Sequence, residues 1–417
     1  MLILLTFMYI FGFKLYGLID STILVGGILA VFFIINEGYR KKVFLKLVDK
    51  YLKTGVCCAL VLTIVALVVV LVNQTYDLTY IETLIHLYIV IAIGILLIAY
   101  FDYKGKISEM LNTVIICFII QTLLQWIFFL LPDVSKLFNI FRTESMILNN
   151  IKYSGYRGLA ISSSGFFGLS SAYAVASVLY FTKGNTLFKN ILVKYGMFLF
   201  MFSGVFFAGR TGFVALPFIF VIELIKVIKN RKSIFCMSNK KNLVLFVIFT
   251  IVFIVAIVIT MQIPKFSSMY HYAFELFRNI FSGKGFTTTS TDGLLAMYDV
   301  DMSVKTFFVG DGIYTVNQNG VESYYMNTDV GYLRKLLYFG IIGFAISLAF
   351  QLCIFGKVEN KKEFVLIMCL LLVLELKGEI IGMSILVNSI IMLYSAQSRE
   401  KRKEKEYARV NSFNDNI

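Results

Sequence analysis

The run GVCCALVLTIVALVVVLVN, residues 55–73, has no charged side chain in nineteen positions. A helix rises about 1.5 Å per residue, so a helix of this length can cross the roughly 30 Å hydrocarbon core of a bilayer. Similar runs recur along the chain, in which 59% of the 417 residues are hydrophobic and only 15% are charged. Such a composition cannot cover a soluble core with a polar surface. The sequence therefore predicts an all-α polytopic membrane protein.

Twelve apolar runs predict twelve membrane-spanning helices. Their approximate limits are 2–18, 20–36, 55–73, 82–101, 107–131, 166–182, 191–208, 213–228, 243–262, 332–355, 364–376 and 380–396. The short connectors alternate in charge, as expected if Lys and Arg collect on the cytoplasmic side. The connector 37–54 carries six basic residues and 229–242 carries five, whereas 73–80 carries none. Both termini are therefore predicted to be cytoplasmic.

Two of the predicted outer connectors are long, at 132–165 and 263–331. The chain is expected to form a single integral membrane domain, 1–417, with the large outer loop between spans nine and ten and a basic cytoplasmic tail at 398–417. The formal net charge of +14 is explained by this topology. We therefore expect no nucleic-acid partner, and we expect any chemistry to lie in the outer loops.

Common catalytic and cofactor motifs are absent from the sequence, and its two histidines, His86 and His271, offer little to a metal ion. We therefore predict neither a metal nor a cofactor. His86 follows Glu82 by one helical turn, which favours an interior polar pair over a ligand role. The six cysteines fall in predicted spans or cytoplasmic connectors, where packing is expected rather than disulfide formation.

Several arginines lie on the predicted outer side of the membrane, where the preference of Lys and Arg for the cytoplasmic side does not explain them. The segment FFAGRTGFVALP, residues 206–217, places Arg210 between Gly209 and Gly212 in a short outer turn. Further arginines lie in or beside the long outer loops: Arg142, Arg157, Arg278 and Arg334. An anionic ligand is one explanation, because the guanidinium fork matches phosphate oxygens. Snorkelling to lipid headgroups is the other. The first is favoured for Arg210 and the second for Arg142.

The end of the large outer loop resembles a segment of the bacterial O-antigen polymerases and the related O-antigen ligases. Its sequence, residues 307–343, is FFVGDGIYTVNQNGVESYYMNTDVGYLRKLLYFGIIG. The shared features are a Gly-x-Gly turn, an Asp-x-Gly-Tyr-Leu motif that begins at Asp329, and a following span with Gly-Ile-Ile-Gly. The GRTG turn at Arg210 is similar to an Arg-x-Gly element of these families. Arg157, followed eleven residues later by Gly168, is similar to a pattern of the polymerase outer loops.

Two departures from the ligase pattern favour the polymerases. The ligases carry a histidine four positions before the leucine of the Tyr-Leu pair, where this chain has Asp329. The residue eleven positions after Arg278 is Thr289, so the arginine-to-glycine spacing is not repeated in the later loop. A ligase and a flippase for lipid-linked oligosaccharides remain the alternatives. A flippase is expected to have two similar halves with short connectors, unlike this chain.

The resemblance implies a GT-C-like membrane fold and a metal-independent, inverting glycosyl transfer. The implied location is the bacterial cytoplasmic (inner) membrane, with the active site facing the periplasm or the exterior. The implied substrates are undecaprenyl-diphosphate-linked oligosaccharide repeat units, which would be polymerised into O-antigen or a capsular-type polysaccharide. Besides membrane lipids, a chain-length regulator is a further partner that the resemblance allows.

The candidate site residues follow from this reaction. Asp329 is the candidate general base, because partial desolvation can raise the pKa of a carboxyl toward the working pH. A helix N-cap is its alternative role. Arg210 is the candidate catalytic arginine, since a fixed guanidinium can stabilise the leaving diphosphate. The proposed diphosphate or sugar contacts are Arg157, Arg210, Arg278, Arg334, Tyr324 and Tyr325.

Alternatives stay open for several of these residues. Arg334 is either a further ligand contact or a group that orients Asp329. The tyrosines, with Tyr332, fit sugar stacking and an interfacial aromatic belt equally well. The segment ELKGE, residues 375–379, is interpreted as an outer break between the last two spans, with cavity lining as a less favoured role for its two glutamates.

Overall fold

The computed structural model describes residues 1–153, 156–182, 185–229, 262–285, 287–318, 321–356, 358 and 360–414, with positions 244, 247, 248, 251, 255 and 259. Its α-helices are α1 (Leu2–Phe11), α2 (Ser21–Ile35), α3 (Glu37–Leu47), α4 (Lys50–Asn73), α5 (Thr79–Tyr103), α6 (Met110–Leu130), α7 (Pro132–Leu137), α8 (Glu144–Lys152), α9 (Phe166–Tyr180), α10 (Ile191–Ala208), α11 (Ala215–Lys229), α12 (Pro264–Ala273), α13 (Glu275–Phe281), α14 (Thr289–Ala296), α15 (Val304–Val309), α16 (Gly331–Phe355), α17 (Lys361–Glu375) and α18 (Ile385–Asn414). Its 3₁₀ turns are Ile107–Glu109, Phe138–Phe141, Arg210–Val214 and Tyr325–Asn327. Its strands form two antiparallel pairs: β1 (Lys14–Leu15) with β2 (Ile19–Asp20), and β3 (Thr315–Gln318) with β4 (Val321–Tyr324).

Five of the described helical segments are long and apolar enough to cross a membrane: α4, α5, Ile107–Leu130, α10 and α16. Helices α2 and α3 pass the same test as a pair bent by 114°, which gives up to six spans. Helices α1 and α9 are apolar but shorter. These helices support the predicted membrane character. Twelve spans, cytoplasmic termini and the outer position of the large loop stay predictions, and the span at 243–262 lies largely outside the described residues.

The first predicted span, 2–18, is helical only as far as Phe11. Helix α1 ends because Gly12 adopts the left-handed conformation, with φ 52°. The chain then forms β1 and β2, whose ends are joined by an ion pair of 3.0 Å between Lys14 Nζ and Asp20 Oδ2. The other carboxylate oxygen of Asp20 accepts the N–H of Thr22 in the first turn of α2. The predicted span passed over this hairpin, although Lys14, Gly17 and Asp20 interrupt the apolar run.

The described contacts divide the chain into two compact units. The first unit comprises Met1–Val25, Glu109–Phe286 and Val365–Leu370. The second unit comprises Gly26–Ser108, Thr287–Phe364 and Leu371–Ile417.

The core of the first unit is formed by α6, α9 and α10, which pack against one another. Every residue of α9 from Leu169 to Tyr180 is buried, and its many alanines and serines allow close helix approach. Tyr173 hydrogen-bonds Thr122 and Gln125 on α6, at 2.8 Å each. Gly204 on α10 leaves the space that the Tyr173 ring occupies. This packing fixes the N-terminal end of α9 and the C-terminal end of α10. Arg157 and Arg210 lie beside these two ends.

In the second unit, α16 packs along α4 and is interrupted at Phe339 and Gly340. Gly340 has φ 65°, and the interruption frees backbone carbonyls of the preceding turn. The loop after α15 satisfies them, because the N–H groups of Asp311 and Gly312 donate to Leu337 O and Tyr338 O at 2.7 and 2.9 Å. Broken helices of this kind are tolerated in membranes only where such partners exist.

The last helix, α18, continues without a break from the predicted final span into the predicted tail. The Arg399 Nη1 atom lies 3.5 Å from Asp49 Oδ1, and Lys46 Nζ lies 3.9 Å from Glu400 Oε2. The first part of the tail is therefore helical. Its Glu400 forms an ion pair with α3, and its Arg399 forms one with Asp49, the N-cap residue of α4.

Candidate functional site

The GRTG turn of the first unit depends on its glycines and on Ser170. Gly209 has φ 149°, and a Cβ atom there would lie 3.2 Å from Arg157 Nη2. The Ser170 hydroxyl donates to Gly209 O at 2.5 Å and accepts the N–H of Gly212 at 2.8 Å. The turn is held rigidly, so the position of the Arg210 backbone is fixed.

Arg210 forms a close ion pair in the first unit. Its Nη1 atom donates to Glu275 Oε2 at 2.5 Å, and both side chains are only about one-sixth exposed, at 15% and 16%. The guanidinium carbon lies 4.6 Å from the centre of the Tyr272 ring. Arg210 is thus held by a carboxylate and an aromatic face, which is more than interfacial snorkelling requires.

Arg157 approaches the same aromatic ring. Its guanidinium carbon lies 5.1 Å from the centre of Tyr272 and 3.8 Å from that of Phe166. Its Nη2 donates to Ala208 O at 3.0 Å, whereas its buried Nε has no hydrogen-bond partner among the described residues. Burial lowers the pKa of Arg157, and the nearby charge of Arg210 acts in the same direction. We call Arg157, Arg210, Tyr272 and Glu275 the arginine cluster.

The other two arginines of the long loops in this unit have different environments. Arg278 is exposed and donates to His271 Nδ1 at 3.1 Å. Arg142 is only 4% exposed and donates to Ala160 O at 2.7 Å and to Ser135 O at 2.9 Å. Burial lowers the pKa of Arg142 to about 10. Snorkelling is therefore the wrong interpretation of Arg142, which holds the first long loop together.

Arg334, in the second unit, lies against two tyrosine rings. Its guanidinium carbon lies 3.6 Å from the ring centre of Tyr324 and 4.1 Å from that of Tyr314. Its Nη1 pairs with Glu379 Oε2 at 3.1 Å, and the same carboxylate oxygen accepts the Tyr314 hydroxyl at 2.6 Å. The Nε and Nη2 atoms of Arg334 are buried and lack hydrogen-bond partners within the described chain. These donors suit a ligand oxygen.

A second ion pair lies behind Arg334 and was not expected. Lys335 and Glu375 are in direct contact and have no exposed side-chain surface. Glu375 Oε2 also accepts the N–H groups of Ile380 and Ile381, both at 2.7 Å, which fixes the segment that carries Glu379. The sequence predicted a break at ELKGE, with cavity lining as a less favoured role for the glutamates, but did not predict these ion pairs. The available signal was the pair of adjacent cations in LRKLL, which need carboxylate partners in an apolar setting.

Asp329 lines a cavity of 610 Å³ in the second unit. The cavity is lined by Thr79, Thr83, Tyr314, Thr315, Ser323, Tyr324, Asn327 and Asp329. Partial burial of the Asp329 carboxyl raises its pKa, although the charges of Arg334 and Lys377 act against this. The N-cap of α16 is Val330, without a side-chain hydrogen bond, so the N-cap interpretation of Asp329 is wrong. We call this cavity, with Arg334, the aspartate cavity.

Asp77, from the short loop 73–80, positions one wall of the aspartate cavity. Its Oδ2 atom accepts the N–H groups of Tyr314 and Thr315 at 2.6 and 3.1 Å. Burial raises the pKa of Asp77, but these hydrogen bonds and those from Thr79 outweigh it, so the pKa is lowered overall. Sequence reasoning missed this residue, although it is the one acidic side chain in that loop.

The remaining candidate tyrosines differ in their surroundings. Tyr324 is exposed to the aspartate cavity. The Tyr325 hydroxyl donates to Asp311 Oδ2 at 3.4 Å, and the Tyr332 hydroxyl donates to Leu372 O at 2.8 Å. Of the three, Tyr324 is the one that lines this cavity, and sugar stacking stays a prediction. Within the described residues no group of three or more His, Cys, Asp or Glu side chains is placed to hold a metal ion, and metal independence stays a prediction.

Comparisons with protein-family models, with curated proteins and with solved structures found no match to this chain.

Proposed function

We propose that the protein is a membrane-embedded glycosyltransferase that polymerises lipid-linked oligosaccharide repeat units at the outer face of the bacterial cytoplasmic membrane. The observation that carries the proposal is the aspartate cavity. It combines a carboxyl group of raised pKa with a buried guanidinium that contacts two tyrosine rings and has two donor nitrogens without a hydrogen-bond partner in the described chain. Carboxylate, guanidinium and aromatic faces are the groups that recognise a sugar and activate its hydroxyl.

In the proposed reaction, Asp329 accepts the proton of the acceptor hydroxyl as that oxygen attacks the anomeric carbon of the growing glycan. The bond from this carbon to the diphosphate oxygen breaks, a glycosidic bond forms, and the anomeric configuration inverts. The lipid diphosphate leaves with the bonding electron pair, so negative charge develops on its oxygen. Preorganised cations stabilise this charge.

We propose, independently of the Asp329 step, that the arginine cluster of the first unit binds a diphosphate group of a lipid-linked substrate. Two guanidinium groups and one carboxylate meet there, which leaves the group positive by one charge. The pairing with Glu275 uses the Nη1 atom of Arg210, and a guanidinium has five N–H donors. The buried Nε of Arg157 is a further donor. Phosphate oxygens are the acceptors that such forks match best.

The proposal is tested by complementing a deletion strain with Asp329→Asn and examining the surface glycan on a gel. We expect the long ladder to disappear while a single capped repeat unit remains. The control is Asp299→Asn, an exposed aspartate of the same large loop, which should restore the full ladder. Loss of the single repeat together with the ladder would instead indicate a flippase or a ligase, and a full ladder from Asp329→Asn would overturn the assignment of the base.

A further inference from the structure

A second cavity of the second unit shares no lining residue with the aspartate cavity. It has a volume of 290 Å³ and lies among α4, α5, α16 and α18. Its wall is apolar and includes Ala59, Ile95, Phe350 and Met392. Its rim comprises Tyr51 and five charged residues, Lys46, Asp49, Arg399, Glu400 and Lys403. We call it the rim cavity.

The rim carries three cations and two carboxylates, an excess of one positive charge. The ion pairs between rim residues are long: Arg399 to Asp49 is 3.5 Å, and Glu400 lies 3.9 Å from both Lys46 and Lys403. Lys46 is also held by Asp102 at 2.7 Å, a carboxylate that Lys42 pairs with at 3.1 Å. The long distances exceed a normal hydrogen bond, so Arg399 and Lys403 are attracted to the rim carboxylates without being tightly bound by them. Another anionic oxygen can therefore be accommodated at the rim.

The rim lies at the end of α4 that follows the connector 37–54. The six basic residues of that connector predict the cytoplasmic side of the membrane. Tyr51 adds an aromatic ring of the kind found at the headgroup level. An apolar wall with a basic rim at this level matches a phospholipid in two respects, since the wall suits an acyl chain and the rim suits a phosphate.

We propose that the rim cavity binds an anionic phospholipid of the inner leaflet. The phosphate pairs with Arg399 and Lys403, and one acyl chain lies along the apolar wall. A zwitterionic lipid is disfavoured, because it would bring its own cation to a rim that already has an excess of positive charge. A free phosphate is disfavoured because it would leave the apolar wall unused. The lipid would join α18 to α3 and α4, and this inference does not depend on the proposed function.

The test is native mass spectrometry of the purified full-length protein with added phosphatidylglycerol or phosphatidylcholine of the same acyl chains. We expect the first phosphatidylglycerol to bind more tightly than the first phosphatidylcholine. Lys403→Gln and Arg399→Gln should each weaken the binding of phosphatidylglycerol about fivefold and leave that of phosphatidylcholine unchanged. Because Lys403 is exposed, its variant is expected to fold normally even if the Arg399 variant does not.

A second variant tests the apolar wall. Ala92 lines the rim cavity with an exposed side chain, so Ala92→Phe should fill the space and weaken the binding of both lipids. The matched controls are Lys41→Gln, an exposed lysine of α3 outside the rim, and Ala30→Phe, an exposed alanine of α2 outside the wall. Equal binding of the two lipids to the wild type would overturn the proposal. A loss of lipid binding in Lys41→Gln and Ala30→Phe as large as in the matched rim and wall variants would also overturn it. Binding of phosphatidylglycerol at wild-type affinity by both Lys403→Gln and Ala92→Phe would overturn it as well. Competition by inorganic phosphate against phosphatidylglycerol would also overturn it, because the rim would then be a site for free anions.

Discussion

Two guanidinium groups share the ring of Tyr272 in the arginine cluster, and a single carboxylate, from Glu275, balances one of them. Bringing two cations together in a partly buried place costs free energy unless an anion joins them. At the residue scale, this cluster and the Asp329 carboxyl are the features that packing alone explains least well. Each gives a prediction that one substitution can test.

Arg210→Lys keeps the positive charge and loses the planar fork that can bind two oxygens at once. We expect it to slow polymerisation about a hundredfold, as the loss of one transition-state contact would. Arg210→Ala should behave alike. Arg40→Lys, on the predicted cytoplasmic connector, is the control. The readout is glycan laddering with membrane protein levels checked by immunoblot, and a full ladder from the lysine variant would rule out a bidentate diphosphate contact.

Asp329 must be ionised to act as the base, and its pKa is raised above that of an ordinary aspartate. The rate of polymerisation should therefore rise with pH through this raised pKa and fall as the carboxyl becomes protonated below it. Lys377→Gln removes a charge that lowers this pKa, so it should move the whole profile to higher pH. A profile measured in membrane preparations that is the same for wild type and Lys377→Gln would contradict this role.

At the element scale, the interruption of α16 is the feature that positions the aspartate cavity. The loop after α15 replaces the missing helical hydrogen bonds at Leu337 and Tyr338, while Asn73 and Thr75 donate to its carbonyls at Gly310 and Gly312. Arg334 lies before the interruption, so its direction is set by a short helical segment that this loop holds in place. Glycine is needed at positions 310 and 340, where the backbone of this loop meets the backbone of α16.

Gly310→Ala should destabilise the protein by more than its backbone conformation alone explains. Gly310 has φ 84°, and a Cβ atom there would overlap the Tyr338 carbonyl. Gly105→Ala is the matched control, since Gly105 has φ 66° with open space around it. We expect the control to lose about 1 kcal/mol of unfolding free energy and Gly310→Ala at least twice as much. Equal melting temperatures in detergent for the two variants would show that the close approach is absent.

Lys335→Met removes one partner of the buried pair and leaves Glu375 ionised without its cation. Such a change is expected to cost about 3–5 kcal/mol of unfolding free energy. Glu375→Gln in the same background should recover a large part, because the amide oxygen still accepts the N–H groups of Ile380 and Ile381. The measurement is chemical unfolding in detergent. A double variant no more stable than Lys335→Met alone would contradict the ion pair.

Hydropathy predicted many helices well and predicted their interruptions poorly. The span at 191–208 coincides with α10, and that at 332–355 differs from α16 by one residue at its start. The hairpin after Gly12 and the interruption at Gly340 were missed, because both depend on backbone dihedral angles that average hydropathy does not report. Among the charged residues, Arg210 was singled out because its charge contradicts the predicted topology, whereas Lys335 was missed because charges at the end of a predicted span resemble ordinary boundaries.

At the scale of the whole molecule, the predicted cytoplasmic end of the second unit is held by the charges that connect α18 with α3 and α4. Truncation after Ser398 removes Arg399 and Glu400, and truncation after Glu406 keeps them. We expect the shorter protein to melt several degrees lower and the longer one to melt as the wild type does. Both should still polymerise at low temperature, because the aspartate cavity retains every lining residue. Loss of polymerisation by a shorter protein that inserts and folds would contradict the placement of the chemistry.

The most direct test is reconstitution of the purified protein in liposomes with an undecaprenyl-diphosphate-linked repeat unit as the only substrate. The wild type and Asp299→Asn are expected to convert it into a ladder of lipid-linked multimers, while Asp329→Asn and Arg210→Lys leave it as single units at equal protein levels. Single units from the wild type, or a full ladder from Asp329→Asn, would contradict polymerisation at the aspartate cavity.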